Sequence, residues 1–575
     1  MKISNITFLI FLILFMACAK KDNEGNEAQK PNTPPNIIWL VAEDLGPRFS
    51  FNGDSLAHTP NIDSIASKAI VFDNAFTVSG VCAPSRSSMI TGCYPSSIGT
   101  QHMRQKKSVI SMPGFPMYNA VPPPEVKAFP ELLRANGYWT SSYTKLDYQF
   151  GDPFTIWDEV TYYPHWRNRK EKDKERPFFI YSTYEITHEI NIWPDSTKER
   201  FFKEFGINME NVAPDVKNRP PLDSSFMVDP KDVTVPPFLP DTEISRGHIA
   251  RLYDNISRMD RQIGELMMDL REDNLLENTI IFIMTDHGDC LPRSKRWIYD
   301  SGIKVPLAIY IPEKYLPENV AQPHRITDLV SYIDLVPTVL EFAGVEVPEW
   351  MHGKPIFTEL KDKPRDYVYA ARDRMDNRYD TRRAVRSKDY KYIYNYDPDK
   401  PYQQQITFLE QMPLMRQILS MNEKGTLTDE QSSWLANAKP KEELYDLKND
   451  PYELINLAMD SDYENVKSEM HQALLTWQEE VGDLENKPET IQAEEMWPGG
   501  EQPVTATPTY QLDQDKLVLK SSTPGATIAY QKSNDDRWHI YTTPLKKSDS
   551  MNVIKAQRYG YKESESVEVI LKYDK

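Results

Sequence analysis

Between about Asn36 and about Phe357, apolar runs of strand length alternate with helical stretches, and two of those runs stop at clusters of acidic residues. Asn36-Ile37-Ile38-Trp39-Leu40-Val41-Ala42, which comes after a Pro-rich stretch, leads into Glu43-Asp44-Leu45-Gly46. Ile280-Ile281-Phe282-Ile283-Met284-Thr285 leads into Asp286-His287-Gly288-Asp289. Between them, Ile249, Leu252, Ile256, Met259, Ile263 and Met267 recur at helical spacing, a stripe that reads as core packing and not as a cofactor site. Alternation of this kind predicts an α/β sandwich around a large, mostly parallel sheet. Open α/β sheets place ligands outside the carboxyl ends of their strands, so both acidic clusters are positioned to face one site. A solvated acidic turn would account for either pair standing alone.

The remainder of the 575 residues divides by composition. Residues 361–486 form a further segment in which Asp389-Tyr390-Lys391-Tyr392-Ile393-Tyr394 alternates as a strand. After a polar linker near Lys487 to Pro503, short alternating runs such as Ala526 to Tyr530 and Trp538 to Leu545 predict a small β-sandwich over 504–575, similar to the β-module of some chitobiase-type glycosidases. Trp538 and Tyr541 read either as carbohydrate contacts or as core aromatics. At the other end, Met1-Lys2 and the apolar run Ile6 to Ala17 have the form of a signal-peptide core, too short to span a bilayer. Cys18 comes at once. Residues 1–18 thus predict a lipoprotein-type leader with lipid on Cys18, simple cleavage near Ala17 being the alternative, and 19–35 a flexible tether. The expected location is the periplasm or cell envelope, with membrane contact only through that anchor.

A hydrophobic fraction of 40% and a charged fraction of 26% describe a globular protein and exclude a fibrous or disordered one. The net charge of −18 argues against nucleic acid as a partner, since phosphate binding is driven by Lys and Arg. A polyanionic substrate would also be repelled at long range. Its binding must rest on local basic residues, with Arg104, Lys106 and Lys107 or Arg293, Lys295 and Arg296 as candidates. Beyond Cys18 and Cys82 only Cys93 and Cys290 remain, which excludes a disulfide-stapled scaffold and leaves their pairing open.

The densest motif is Cys82-Ala83-Pro84-Ser85-Arg86, with Ser87-Ser88-Met89-Ile90-Thr91-Gly92 directly after it. It resembles the activation motif of the type I sulfatases, members of the alkaline phosphatase superfamily. The resemblance implies oxidation of Cys82 to formylglycine by a maturation enzyme that reads Cys-x-Pro-x-Arg. It extends to the other positions in the family's order. Glu43 and Asp44, Asp286 and His287 match its metal ligands, Glu43 standing where the family usually has Asp; the implied cation is calcium, with magnesium as the alternative. Lys295, in Lys295-Arg296-Trp297-Ile298-Tyr299-Asp300-Ser301-Gly302, matches the sulfate-contacting lysine. Lys145 matches the lysine of a Gly-Lys-x-His segment whose histidine is here Asp147, a substitute base or sugar contact. His188 stands where the family has a histidine that protonates the leaving oxygen. Leu444-Tyr445-Asp446-Leu447-Lys448-Asn449-Asp450-Pro451 resembles a late signature of the smaller subdomain and receives no catalytic role.

The resemblance implies a sulfatase reaction. Formylglycine bound to the cation and held by Arg86 attacks sulfur, Lys145 and Lys295 neutralise the sulfate oxygens, and His188 protonates the departing alcohol. The stretch Ile98 to Arg104 is similar to polysaccharide sulfatases and makes His102 and Arg104 candidate sugar contacts. The implied substrate is a sulfated polysaccharide or its oligosaccharides, algal such as ulvan, with a heparan-type glycosaminoglycan as the alternative. A formylglycine-dependent phosphonate or phosphodiester hydrolase, and an inactive glycan-binding lipoprotein, also remain open.

Overall fold

The computed structural model describes residues 33–103, 114–318, 320–533, 535–546 and 551–570. The proposed leader with Cys18, most of the tether, and Arg104, Lys106 and Lys107 lie outside the described residues. The central sheet has eight strands: β1 (Asn36–Ala42), β2 (Ile70–Phe76), β3 (Trp139–Tyr143), β4 (Glu159–Thr161), β5 (Phe178–Tyr184), β6 (Thr279–Thr285), β7 (Lys304–Tyr310) and β8 (His324–Ser331). Their order is β4-β3-β5-β1-β6-β7-β2-β8. The five strands from β4 to β6 are parallel, β7 is antiparallel to both neighbours, and β2 and β8 are parallel to each other.

β1 shows why this sheet is covered on both faces. It is an almost unbroken apolar run, the mark of a strand with no solvent side. Ile38, Leu40 and Ala42 pack into one core with the long helix Glu243–Glu272, and Ile37, Trp39 and Val41 into another with Phe129, Phe179 and Phe282. The helix places its whole expected stripe, Ile249 to Met267, inside, and the Thr242 side chain caps it by accepting from the Ser245 amide at 3.2 Å. β1 and β6 pair in register from Asn36 opposite Thr279 to Ala42 opposite Thr285. The two acidic clusters therefore leave adjacent strands at the same level.

A second, antiparallel sheet comes next, β9 (Val368–Arg372), β10 (Arg382–Arg386), β11 (Tyr390–Asn395) and β12 (Glu442–Asp446), in the order β12-β11-β10-β9. The helix Glu464–Val481 covers it with Met470, Leu474 and Trp477. The C-terminal segment folds into two small antiparallel sheets, β13 (Thr509–Asp513) and β14 (Lys516–Lys520) with β17 (Leu545–Lys546), and β15 (Thr527–Lys532) with β16 (His539–Ile540), β18 (Met551–Gln557) and β19 (Val567–Glu568). The run Trp538 to Leu545, a single segment by composition, is split between the two. This unit docks on the helix Phe129–Ala135, where buried Glu131 accepts from the hydroxyls of Thr527 at 2.6 Å and Tyr559 at 2.9 Å. Arg537 grips Asp158 through two bonds of 2.7 and 2.9 Å. Trp538 packs edge-on against Phe154, and the Tyr541 hydroxyl accepts from the Leu519 amide at 3.2 Å, so both aromatics serve packing here.

Candidate active site

Four adjacent parallel strands deliver the site. β1 ends into Glu43 and Asp44, β6 into Asp286 and His287, β3 into Lys145, and β5 into the turns that carry His188. Cys82 enters as the first residue of the helix Cys82–Thr91, where free backbone N–H groups favour negative charge. Its Sγ lies 3.4 Å from His287 Nε2 and 3.6 Å from Asp44 Oδ1. Burial pushes the thiol well above its ordinary value, and Lys295 and Lys145 do not reverse that. As a plain thiol, Cys82 stays protonated and weakly nucleophilic at neutral pH.

Asp44 is the hub. Its backbone is left-handed, with φ of 52°, a conformation Asp tolerates better than most residues. The Asp44 amide donates to Asp286 Oδ1 at 3.0 Å. Its Oδ2 accepts from Lys295 Nζ at 2.6 Å and from the Glu189 amide at 2.8 Å, and its Oδ1 lies 2.9 Å from His287 Nε2. Burial alone would raise this carboxyl; the Lys295 ammonium, the foremost opposing influence, outweighs it and holds Asp44 well below its ordinary range. Lys295 is held above its own ordinary value, with burial opposed first by Asp44 and then by Glu189. Glu43 instead turns to two cations, accepting from Arg86 on one oxygen and Lys145 on the other.

The residues fit a hard divalent cation. Asp44, Asp286, His287 and Cys82 present atoms all within 4.8 Å of one another, and Glu43, Asp44, Cys82 and His188 form an overlapping group. Among the described residues, Asp286 Oδ2 is buried with no hydrogen-bond partner, an open acceptor in a charged interior. His287 Nδ1 bonds the Gly288 carbonyl at 3.0 Å, which fixes the proton there and frees the Nε2 lone pair. Oxygen-rich ligation with one imidazole suits such an ion.

His188 Nδ1 accepts from the Ile190 amide at 3.3 Å, the contact that favours a neutral ring with its proton on Nε2, and Nε2 lies 3.4 Å from Lys295 Nζ and 3.8 Å from Asp44 Oδ2. Burial, then Lys295, hold this imidazole well below its ordinary value. The Lys295 loop is seated by close backbone approach: a Cβ at Gly80, just before the Cys82 helix, would collide with the Trp297 carbonyl, and the Gly80 carbonyl accepts from the Arg296 amide at 2.6 Å.

Cys82, Arg86, Lys145, His188 and Lys295 are thus brought together with Glu43, Asp44, Asp286 and His287. Asp147 is half-buried on the loop beyond Lys145, where its charge acts on Arg86. His102 is buried elsewhere: its Nδ1 accepts from the Arg374 amide at 3.4 Å and its ring meets Tyr379 edge-on. Sequence reasoning missed Glu189, which is 2.8 Å from Lys295 Nζ and holds Arg296 through bonds of 3.0 and 2.8 Å. The one signal available for it was an acid next to His188.

Buried cations and hard-ion ligands converging on one side chain at the carboxyl ends of parallel strands suit the hydrolysis of an anionic ester. The chain belongs to the sulfatase family and is a sulfuric ester hydrolase: the family model described as Sulfatase matches residues 35–345, and that of the N-sulphoglucosamine sulphohydrolase C-terminal region matches 292–424. It is 36% identical to an ulvan-active sulfatase of Formosa agariphila, over 98% of this chain and 97% of that one. It is 24% identical to N-sulphoglucosamine sulphohydrolase of Homo sapiens, over 78% and 91%. Among solved structures, BT4656 in complex with its substrate D-glucosamine-2-N,6-O-disulfate has the same fold, with a TM-score of 0.53 and 18% identity over 80% of this chain and 99% of that one.

Proposed function

We propose that this sulfatase removes sulfate esters from an ulvan-type polysaccharide or its oligosaccharides, using Cys82 matured to formylglycine and a calcium ion held at Asp44, Asp286 and His287. The convergence of Cys82, Arg86, Lys145, His188 and Lys295 around that ligand group carries the reading of the reaction. The likeness to the ulvan-active sulfatase supports the substrate.

Hydrated formylglycine offers one hydroxyl to attack sulfur and a second whose deprotonation expels sulfate, a route a thiol lacks. The cation, when bound, polarises the sulfate and acidifies the attacking hydroxyl. Arg86 and the helix N-terminus hold residue 82 in place and favour negative charge there. Lys145, anchored on Glu43, and Lys295, anchored on Asp44, neutralise the sulfate oxygens. His188, kept neutral, gives its Nε2 proton to the leaving sugar oxygen. Arg104 and Asp147 are the proposed sugar contacts. Export on the leader, with lipid at Cys18, would bring the enzyme to the cell envelope, where large glycans are met.

The test is sulfate release from a panel of ulvan and heparan fragments, after mass spectrometry has confirmed formylglycine at position 82. Release from ulvan fragments alone supports the reading. Release from heparan fragments alone replaces the substrate, and silence from fully converted protein overturns the assignment.

A further inference from the structure

Of the basic residues that could meet a polyanion, Arg293 and Arg296 are consumed internally: Arg293 donates to the carbonyls of Tyr452 and Glu453, and Arg296 is locked on Glu189. A different basic group lies just beyond His188. Asp195, the first residue of the helix Asp195–Glu204, has three cations directed at a single oxygen. Arg219 Nη2 is 3.3 Å from Asp195 Oδ1, Arg251 Nη1 3.6 Å and Lys198 Nζ 3.7 Å.

None of the three is at the distance of a tight charge-assisted bond, about 2.7–2.9 Å, so the carboxylate is shared and the cations are under-neutralised. Among the described residues, Arg219 Nε is buried with no hydrogen-bond partner. Lys198 and Arg219 are both held below their ordinary values, first by burial and then by a neighbouring guanidinium, that of Arg219 for Lys198 and of Arg251 for Arg219. Arg258 adds a fourth cation and Asp254 a second acid to the same neighbourhood. The Asp195 side chain is 59% exposed and can turn out to water, whereas Lys198 is 7% and Arg219 15% exposed and are fixed from behind, Lys198 on the Val216 carbonyl at 2.9 Å and Arg219 on the Asn191 carbonyl at 2.8 Å. Asn191 is three residues beyond His188, so their Cα atoms are at most about 11 Å apart.

We propose that Lys198, Arg219 and Arg251 form a second anion subsite, in which a sulfate or carboxylate of a neighbouring sugar displaces the Asp195 carboxylate. The inference rests on the polysaccharide reading above and deepens it: it makes the enzyme a reader of a run of charged sugars. It also answers how a protein of net charge −18 holds a polyanion, through a local excess of cations beside the reacting group.

The test uses the double variant Arg219→Gln/Arg251→Gln. With an ulvan-derived tetrasaccharide its KM is expected to rise about 10-fold or more, one charge-assisted contact being worth at least that, while turnover of 4-nitrocatechol sulfate stays unchanged. Asp195→Asn is expected to lower the tetrasaccharide KM. Calorimetry of the same tetrasaccharide on the Cys82→Ala protein, with and without the double substitution, reads binding apart from turnover. An unchanged KM and affinity in the double variant, an equal loss on the aryl ester, or no binding to Cys82→Ala overturns the proposal. Failure of the substrate reading looks different: the parent enzyme then releases no sulfate from the tetrasaccharide, yet still binds it through Arg219 and Arg251.

Discussion

Two buried ion networks stand side by side in this protein, and they are built on opposite principles. In and beside the second sheet, charges are closed in pairs: Arg383 meets Asp483 through bonds of 2.6 and 3.0 Å, Arg374 meets Glu489 through 2.6 and 2.7 Å, and Asp380 takes Arg372 and Arg382 at 2.6 Å each. Around Cys82 the charges point inward at a common centre and, among the described residues, leave Asp286 Oδ2 without a hydrogen-bond partner, with Arg86 Nε no nearer than 3.5 Å. Closed pairs satisfy one another and fix the geometry of the subdomain; the open set leaves its field for a cation and a sulfate. Buried charge is thus no sign of function by itself; among the described residues, what separates the two is that the set around Cys82 brings together atoms that could ligate a cation.

The contrast can be broken at several points. Cys82→Ala removes the group on which the open network converges and is expected to cut sulfate release by at least about 10⁴-fold with an unchanged melting temperature. Undiminished turnover would sink the formylglycine reading. Asp483→Ala removes one of the two carboxylates on Arg383 and leaves Asp373 as its remaining acidic partner, so it is expected to cost about 1–3 kcal/mol in urea denaturation while the folded fraction keeps its kcat on an aryl sulfate. Lys295→Ala is expected to lower kcat by about 10²–10³-fold, the usual loss for one stabilising contact to a developing charge. If instead it changed stability alone, Lys295 would belong with the closed pairs.

The last test concerns His102, where burial holds the imidazole down at about 4 against an ordinary 6.5. In the folded state it stays neutral while the unfolded chain takes up a proton, so its contribution is complete above pH 6.5 and is lost as the pH falls toward 4. The stability difference between the parent and His102→Gln is therefore expected to shrink by about 3 kcal/mol from about pH 7 to about pH 4, read by denaturation at both values. A difference that did not move with pH would mean that this ring is solvated and open to sugar.

Much of the site was legible because its chemistry is tied to strand ends. The apolar runs before Glu43 and Asp286 announced buried strands, and a buried strand in an α/β sheet must present its next residues at the carboxyl edge. Other parts were not legible. Glu43 stands at a metal-ligand position of the family, and nothing local announces that its carboxylate also meets Arg86 and Lys145, partners 43 and 102 residues away. Glu189 carries no motif, and its contact with Lys295 joins segments far apart in the chain. Arg293 and Arg296 read as free cations, because nothing local marks which surface an arginine will be buried against.

The sequence by itself determined the layers, and the likeness of its motifs to those of the sulfatases gave the reaction class. Hydrophobic period and the spacing of Cys82, Arg86, Lys145, His188 and Lys295 are local or ordered along the chain, and secondary structure turns them into position. Only the tertiary structure decided which charges are spent and which are left open. That outcome depends on distances of 2.6 to 3.6 Å between residues far apart in sequence, as at Lys295 with Asp44 and Arg251 with Asp195, set once the sheets and helices have packed. Coulomb energy in a buried site changes steeply over that range, so the fold, and not the residue list, determines which cation holds a carboxylate and which waits for a ligand.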